Sequence, residues 1–188
     1  MDGNRQFPKQ LKSLEDKWNS LYDDLINDNM TLSKKDEISY YLALLSFNNP
    51  KKQQDRINIL LSKATQKEKE HIDNNYNKKE IHIGVRDIIL EDVGKNEVFC
   101  SIKDLIIRSQ WSLMKNDTDV PFITSDNPIL VCQEGWLVPI SKEYLLFIDL
   151  ETIMNNGKIA VVPIEEHVVK DMNNRMQNNA ERFFFSGK

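Results

Sequence analysis

WLVPISKEYLLFIDL, residues 136–150, is two short apolar runs around a polar linker, Ser141 to Glu143. Runs of this length, rich in β-branched and aromatic residues and bounded by turn residues, read as strands rather than helices. The same pattern extends outward. Upstream, Ser109 to Met114, Pro121 to Thr124 and Ile129 to Cys132 are further candidate strands, separated by Asn116-Asp117, Ser125 to Pro128 and Glu134-Gly135. Downstream, Asn155 to Gly157 leads into a strand from Ile159 to Pro163. A last helix is expected from about Glu165 to Arg182, with Val168, Val169, Met172, Met176 and Ala180 on one face. Phe183 to Phe185 offers an end strand.

Before Ser109 the period changes. Leu11, Leu14, Trp18, Leu21, Tyr22 and Leu25 recur at three- and four-residue steps and predict a helix over about 9–28. Ser33 reads as the N-cap of a second helix, with Asp36 in the capping-box position and Ile38, Tyr41, Leu42, Leu45 and Phe47 as its apolar residues. Asn49-Pro50 opens a third, carrying Ile57, Leu60, Leu61 and Ala64. Lys63 to Glu80 is almost wholly polar and reads as a solvated helix extension or a connector. Ile81 to Leu90 and Val98 to Ile106 read as two more helices, although Ile81 to Val85 also alternates as a strand does. The expectation is an α+β fold in one domain, residues 1–188. A helical portion, 1–80, packs with a mixed, then β-rich portion, 81–188, on a small, mostly antiparallel sheet closed by the C-terminal helix.

Composition bounds the function classes. The 188 residues carry a formal charge of −4 and a pI near 5.5, so the chain has no global pull toward phosphate backbones or anionic lipid. Its cations are 19 Lys against 6 Arg, a balance that favours solvation over bidentate phosphate recognition. Cys100 and Cys132 lie far apart without a CxxC pattern and are expected to be reduced thiols. The polar start from Met1 to Gln10 shows no signal peptide, and no apolar run approaches a membrane span. A cytoplasmic protein is expected, and the Asn- and Lys-rich composition fits an AT-rich bacterial, phage or mobile-element source.

The most distinctive segment is Pro121-Phe122-Ile123-Thr124-Ser125-Asp126-Asn127-Pro128. As structure it is a tight polar corner between strands, because Asp and Asn cap their own backbone and Pro128 holds Asn127 out of the helical region. As function it presents a hydroxyl, a carboxylate and an amide at one strand end, a combination suited to a polar ligand or a metal.

This segment resembles the hallmark of a large, uncharacterised bacterial family, a domain of unknown function (DUF4238). The resemblance takes in Trp111 before the motif, Phe122 to Pro128, and Pro139-Ile140-Ser141 after it. It also takes in Asn173, Ala180, Arg182 and Phe185-Ser186 at the C-terminal end. Leu32-Ser33 to Leu45 is similar to the family's middle helices. The chain departs from the family's his-x-x-pro opening, having only Phe7-Pro8 near its start and no His before His71. An arginine-rich helix end is replaced by Ser46-Phe47-Asn48-Asn49. The resemblance therefore implies a diverged or N-terminally trimmed member, which lacks any reaction those residues carry elsewhere.

Other candidates are weaker. His71, His82 and His167 have no His or Cys at metal-ligand spacing. A triad of Ser125, His167 and Asp126 or Asp149 lacks a nucleophile elbow. Lys52, Arg56, Lys63 and Lys67 fall near one face of the third helix and offer a phosphate-tracking stripe, with Asp55, Glu68 and Glu70 interspersed. Glu15, Asp16, Asp23, Asp24 and Asp28 fit a solvated helix face, and Glu165 and Glu166 suit a helix start. Arg182 is expected to meet the Ser125 to Asn127 corner.

The function expected from sequence is a non-enzymatic binding or regulatory protein of bacterial or phage origin, acting in phage–host or mobile-element conflict. Its expected partner is a protein or ribonucleoprotein, with no membrane and no cofactor or metal. The polar corner comprises Thr124, Ser125, Asp126, Asn127, Asn173 and Arg182. One alternative is an enzyme acting on a polar small molecule or nucleic acid at Ser125-Asp126-Asn127. The other is a nucleic-acid binder using Lys52, Arg56, Lys63 and Lys67.

Overall fold

The structure is a computed structural model that describes residues 6–47, 58, 62, 65–75, 97–153, 158–180 and 184–186; for 6–11, 47, 72–73 and 184–186 it describes the backbone. Among these residues are five helices: α1 Gln6–Ile26, α2 Leu32–Phe47, α3 Gln66–Asn75, α4 Glu97–Arg108 and α5 Glu166–Asn179. The strands are β1 Ser109–Asn116, β2 Ile123–Ser125, β3 Leu130–Val131, β4 Gly135–Pro139, β5 Tyr144–Ile153, β6 Ala160–Ile164 and β7 Phe184–Ser186. The architecture is α+β. Of the expected third helix from Asn49 to Ala64 only Asn58 and Ser62 are described, both helical; the segment from Ile81 to Leu90 lies outside the described residues, as do Lys52, Arg56, Lys63, His82 and Arg182. The polar stretch after Lys63 contains the exposed helix α3.

Five strands form one sheet in the order β3-β4-β5-β1-β6. Every pairing is antiparallel except β1 with β6, which is parallel. β2 and β7 make a separate antiparallel ribbon, with Thr124 opposite Phe185. Residue alternation decides what each face of the sheet buries. Trp111 and Leu113 of β1, Trp136 and Val138 of β4, and Leu146 and Ile148 of β5 pack with α1, α2 and α4. Leu137 of β4 and Leu145 of β5 point the other way and pack with Phe122, Ile123, Leu130 and with Val169 and Met176 of α5. Cys100 belongs to the first layer and Cys132 to the second, so the sheet separates the two thiols. Gly135 sits where β4 meets β5; a β-carbon there would run into the Ile148 carbonyl.

Several helix ends differ from expectation; the last helix, expected to reach Arg182, ends at Asn179, with Ala180 already extended. The cap of α2 is Thr31, not Ser33. Thr31 Oγ1 accepts from Lys34 N at 3.3 Å and its carbonyl accepts from Lys35 N at 2.9 Å. Asp36, expected in a capping box, instead pairs with Lys103 of α4 at 2.7 Å. The first helix ends at Ile26 because Asp28 adopts φ 55°, and Asn29 N donates back to Asp24 O at 2.9 Å. That left-handed closure is a Schellman turn. Lys34 then bridges the corner to Asp24 at 2.7 Å. Among the described residues no helix is long and apolar enough to cross a membrane.

Candidate ligand cleft at the Thr124–Pro128 corner

Ser125 and Asn127 fix the backbone of the corner. Ser125 Oγ donates to Asn127 O at 2.9 Å and accepts from Asn127 N at 3.2 Å, closing a small ring around residue 126. The same hydroxyl lies 3.3 Å from Met176 Sδ on α5 and is buried.

Helix α5 then grips the segment through two amides. Asn173 Oδ1 accepts from Ile123 N at 3.0 Å, and Asn173 Nδ2 donates to Pro121 O at 2.9 Å. One side chain thereby does for β2 what a neighbouring strand would do. Six residues along, Asn179 Nδ2 donates to Asn127 O at 2.8 Å and to Ile129 O at 3.2 Å, while Asn127 Nδ2 donates to Asn179 O at 3.2 Å. Sequence reasoning singled out Asn173 and missed Asn179. No sequence signal separates Asn173 and Asn179 from the helix's other amides, Asn174, Gln177 and Asn178.

Ser125 is buried and Asn127 half-buried; beside them Thr124 and Asp126 are half-buried as well. Thr124 and Asp126 line a cleft of about 320 Å³, together with Ser125 and Pro128. Its opposite wall is Trp18 of α1 and Tyr41, Leu42 and Leu45 of α2; Val138, Pro139 and Ile140 complete it. Trp18 and Tyr41 pack with ring centroids 5.2 Å apart at a 42° tilt. Burial, with the Glu15 charge adding to it, raises the Tyr41 phenol above its usual 10, so the ring stays neutral. Asp126 Oδ2 is shielded from solvent.

The position of Trp18 is set one helical turn further on. Tyr22, which shares its face at i+4, donates from its hydroxyl to Ser141 Oγ at 3.1 Å. Ser141 Oγ in turn accepts from Glu143 N at 3.2 Å and Tyr144 N at 3.1 Å. The Pro139-Ile140-Ser141 segment thus supplies both cleft wall and anchor. Trp18 and Tyr41 read from sequence as ordinary apolar helix residues, and nothing in their spacing ties them to a corner so far along the chain.

The remaining candidates are placed apart. His167 is exposed and 3.2 Å from Glu165. Asp149 Oδ1 accepts from Glu151 N and Thr152 N at 3.0 and 3.1 Å; its carboxyl is held below the usual 3.8 chiefly by a hydrogen bond from the Thr152 side chain, with these backbone bonds adding to it. With the Ser125 hydroxyl engaged as well, these three groups do not form a triad. His71 lies on exposed α3 beside Asn75. Lys67 is exposed on the same helix. Among the described residues no cluster of three His, Cys, Asp or Glu could hold a metal ion.

No curated protein and no solved structure matches the chain. A family model does: "Protein of unknown function (DUF4238)" matches residues 4–188, essentially the whole chain. Of the segments on which the sequence resemblance rests, Trp111 packs in the layer between the sheet and the first helices, and Thr124 to Asp126, Pro128, Pro139 and Ile140 line the cleft. The chain belongs to the DUF4238 family.

Proposed function

We propose that this chain is a binding protein, not a catalyst, and that its site is the cleft between α1–α2 and the Thr124–Pro128 corner. One observation carries the reading. Two separated segments, Thr124 to Pro128 and Val138 to Ile140, converge with Trp18 and Tyr41 on the same cleft. A concavity in which polar groups converge beside apolar and aromatic side chains is the usual form of a small-ligand site. The corner also favours recognition over reaction. Of its two hydroxyls, that of Ser125 is buried and bonded to the Asn127 backbone. The ligand is a small molecule or the terminal group of a larger partner, held by shape and by Thr124 and Asp126. Such binding serves regulation if it changes how α1 and α2 sit on the sheet.

A fragment screen by protein-observed NMR on the full chain tests this. Hits are expected to move the backbone resonances of Thr124, Asp126 and Ile140 together with the Trp18 indole. Leu45→Trp, which fills the cleft, should abolish those shifts while leaving the spectrum folded. Hits that map elsewhere, or persist in the Leu45→Trp chain, would overturn the assignment.

A further inference from the structure

The polar groups of the cleft divide into those already engaged and those still open. Ser125 Oγ donates to Asn127 O, and Asp126 Oδ2 is shielded from solvent. Trp18, Tyr41 and Thr124 are different. All three are half-buried, and among the described residues none of their side chains makes a hydrogen bond. The Trp18 indole N–H, the Tyr41 hydroxyl and the Thr124 hydroxyl also reach solvent, since none of them is a sealed polar atom. They come from three elements, α1, α2 and β2, and converge on one cleft. An indole N–H only donates. The Tyr41 phenol keeps its proton to donate, because burial and the Glu15 charge raise it above the usual 10. The Thr124 hydroxyl serves in either sense. The open groups are therefore donors first, and they call for a ligand that brings acceptors.

We infer that the cleft takes a short proline-bearing peptide, as the end of a partner chain offers, with a basic residue beside the proline. The inference rests on the reading of the cleft as a ligand site and adds the chemical class. Proline amides carry carbonyls but no N–H. Such a segment meets the donors of Trp18 and Tyr41 without stranding donors of its own. Its polyproline II backbone has no internal hydrogen bonds and is set before binding, so little freedom is lost on docking. Its rings are apolar and puckered. The Trp18 and Tyr41 rings meet at 42° with centroids 5.2 Å apart, which makes that wall bent rather than flat. Leu42, Leu45, Val138 and Ile140 give the proline rings apolar surface. Aromatic-lined grooves are the usual docking place of proline-rich segments. Charge points the same way. Glu15 lies one turn before Trp18 on α1, is exposed, and its charge is felt at the Tyr41 phenol. Asp126 is a second acidic residue, on the lining itself. Lys17, next to Trp18 in the chain, is engaged by Glu37 at 3.2 Å. A basic residue beside the proline thus meets a complementary rim.

NMR titration of the full chain with three end-capped peptides, Lys-Pro-Pro-Pro, Glu-Pro-Pro-Pro and Lys-Ala-Ala-Ala, tests this. Lys-Pro-Pro-Pro is expected to bind about tenfold or more tightly than Lys-Ala-Ala-Ala, with shifts at Thr124, Asp126, Ile140 and the Trp18 indole. It should also exceed Glu-Pro-Pro-Pro, by a margin that shrinks as salt is raised and in the Glu15→Gln chain. Trp18→Phe and Tyr41→Phe each keep a ring and remove a donor, so each should weaken Lys-Pro-Pro-Pro by about three- to tenfold. Equal affinities for the proline and alanine peptides would overturn the proposed class, as would Phe variants that bind as the parent does, or peptide shifts confined to another surface. If fragments still move the cleft resonances in those cases, the cleft stands as a ligand site and only the class is lost. Silence of the cleft to the peptides and to the fragment screen alike would sink both. Should the Phe variants fail to fold, the wild-type preference for proline over alanine decides the matter.

Discussion

Lys35 carries a charge into the contact between α2 and β1. Its ammonium donates to Ser109 O at 2.8 Å and lies 4.8 Å from the centre of the Trp111 ring, with the residue 3% exposed. The carbonyl and the ring face favour the ammonium; burial opposes it and wins, lowering the pKa from 10.5 to about 8. The sign of the consequence follows from proton counting. Between about 8 and 10.5 the unfolded chain keeps the Lys35 proton that the folded chain has given up. Raising the pH across that window therefore favours folding. Other groups change in the same range: burial raises the Cys132 thiol and the Tyr40 phenol, and both oppose folding as they ionise. They are common to a Lys35→Met variant and cancel in the difference. The stability of the wild-type chain relative to Lys35→Met should be flat below pH 8 and rise toward pH 10. Urea denaturation at a series of pH values measures it, and parallel curves for the two chains would show that Lys35 does not titrate there.

At the scale of elements, α5 is tied to the motif segment by side-chain amides as well as by apolar packing. Removing the Asn173 amide leaves Ile123 N and Pro121 O without their partner. A stranded buried polar group costs about 1–3 kcal/mol. Asn173→Ala and Asn179→Ala should each lose stability in that range in chemical denaturation, whereas exposed Asn174→Ala should stay within about 0.5 kcal/mol of the parent. Losses at Asn173 and Asn179 no greater than at Asn174 would mean the amides do not hold the helix. These amides also mark the boundary of what sequence conveys. The strands around Trp136 and Tyr144 were legible because period-2 burial and turn residues are local properties, and the Pro121–Pro128 turn was legible for the same reason. Their ends shifted by a few residues, as where Ser109 to Met114 continues to Asn116. The α2 cap was assigned to Ser33 when Thr31 holds it, since two hydroxyls in neighbouring positions satisfy one local rule and only the backbone path chooses between them. The hydrogen bonds of Asn179, and the convergence of Trp18 and Asp126 on one cleft, depend on how separate elements pack, and no local pattern encodes them.

For the whole molecule, one sheet serves two apolar layers, and adjacent residues test whether the layers fold together. Leu145 and Leu146 are consecutive on β5 and both are fully buried. Leu146 packs toward α1, α2 and α4, and Leu145 toward α5 and β2. Truncating either to alanine should cost about 2–5 kcal/mol, the transfer of the lost methyl groups plus the cavity they leave. The optical probe is one-sided. Trp111 and Trp136 lie in the helical layer, and Trp18 stands on α1 in the cleft wall. If the shared strands make unfolding a single transition, Leu145→Ala must lower the tryptophan-detected midpoint even though no tryptophan packs in its layer. It should do so by an amount comparable to Leu146→Ala, and circular dichroism of the whole chain should give the same midpoint. A Leu145→Ala chain in which tryptophan fluorescence melts as in the parent, while part of the helical signal melts early, would show that α5 and the motif ribbon come away from an intact sheet. The cleft's polar rim would then rest on a unit that opens by itself, and binding at Asp126 would stabilise that unit without moving the tryptophan transition. Coincident midpoints instead make ligand capture at the corner a stabilisation of every layer at once, since β4 and β5 carry both faces.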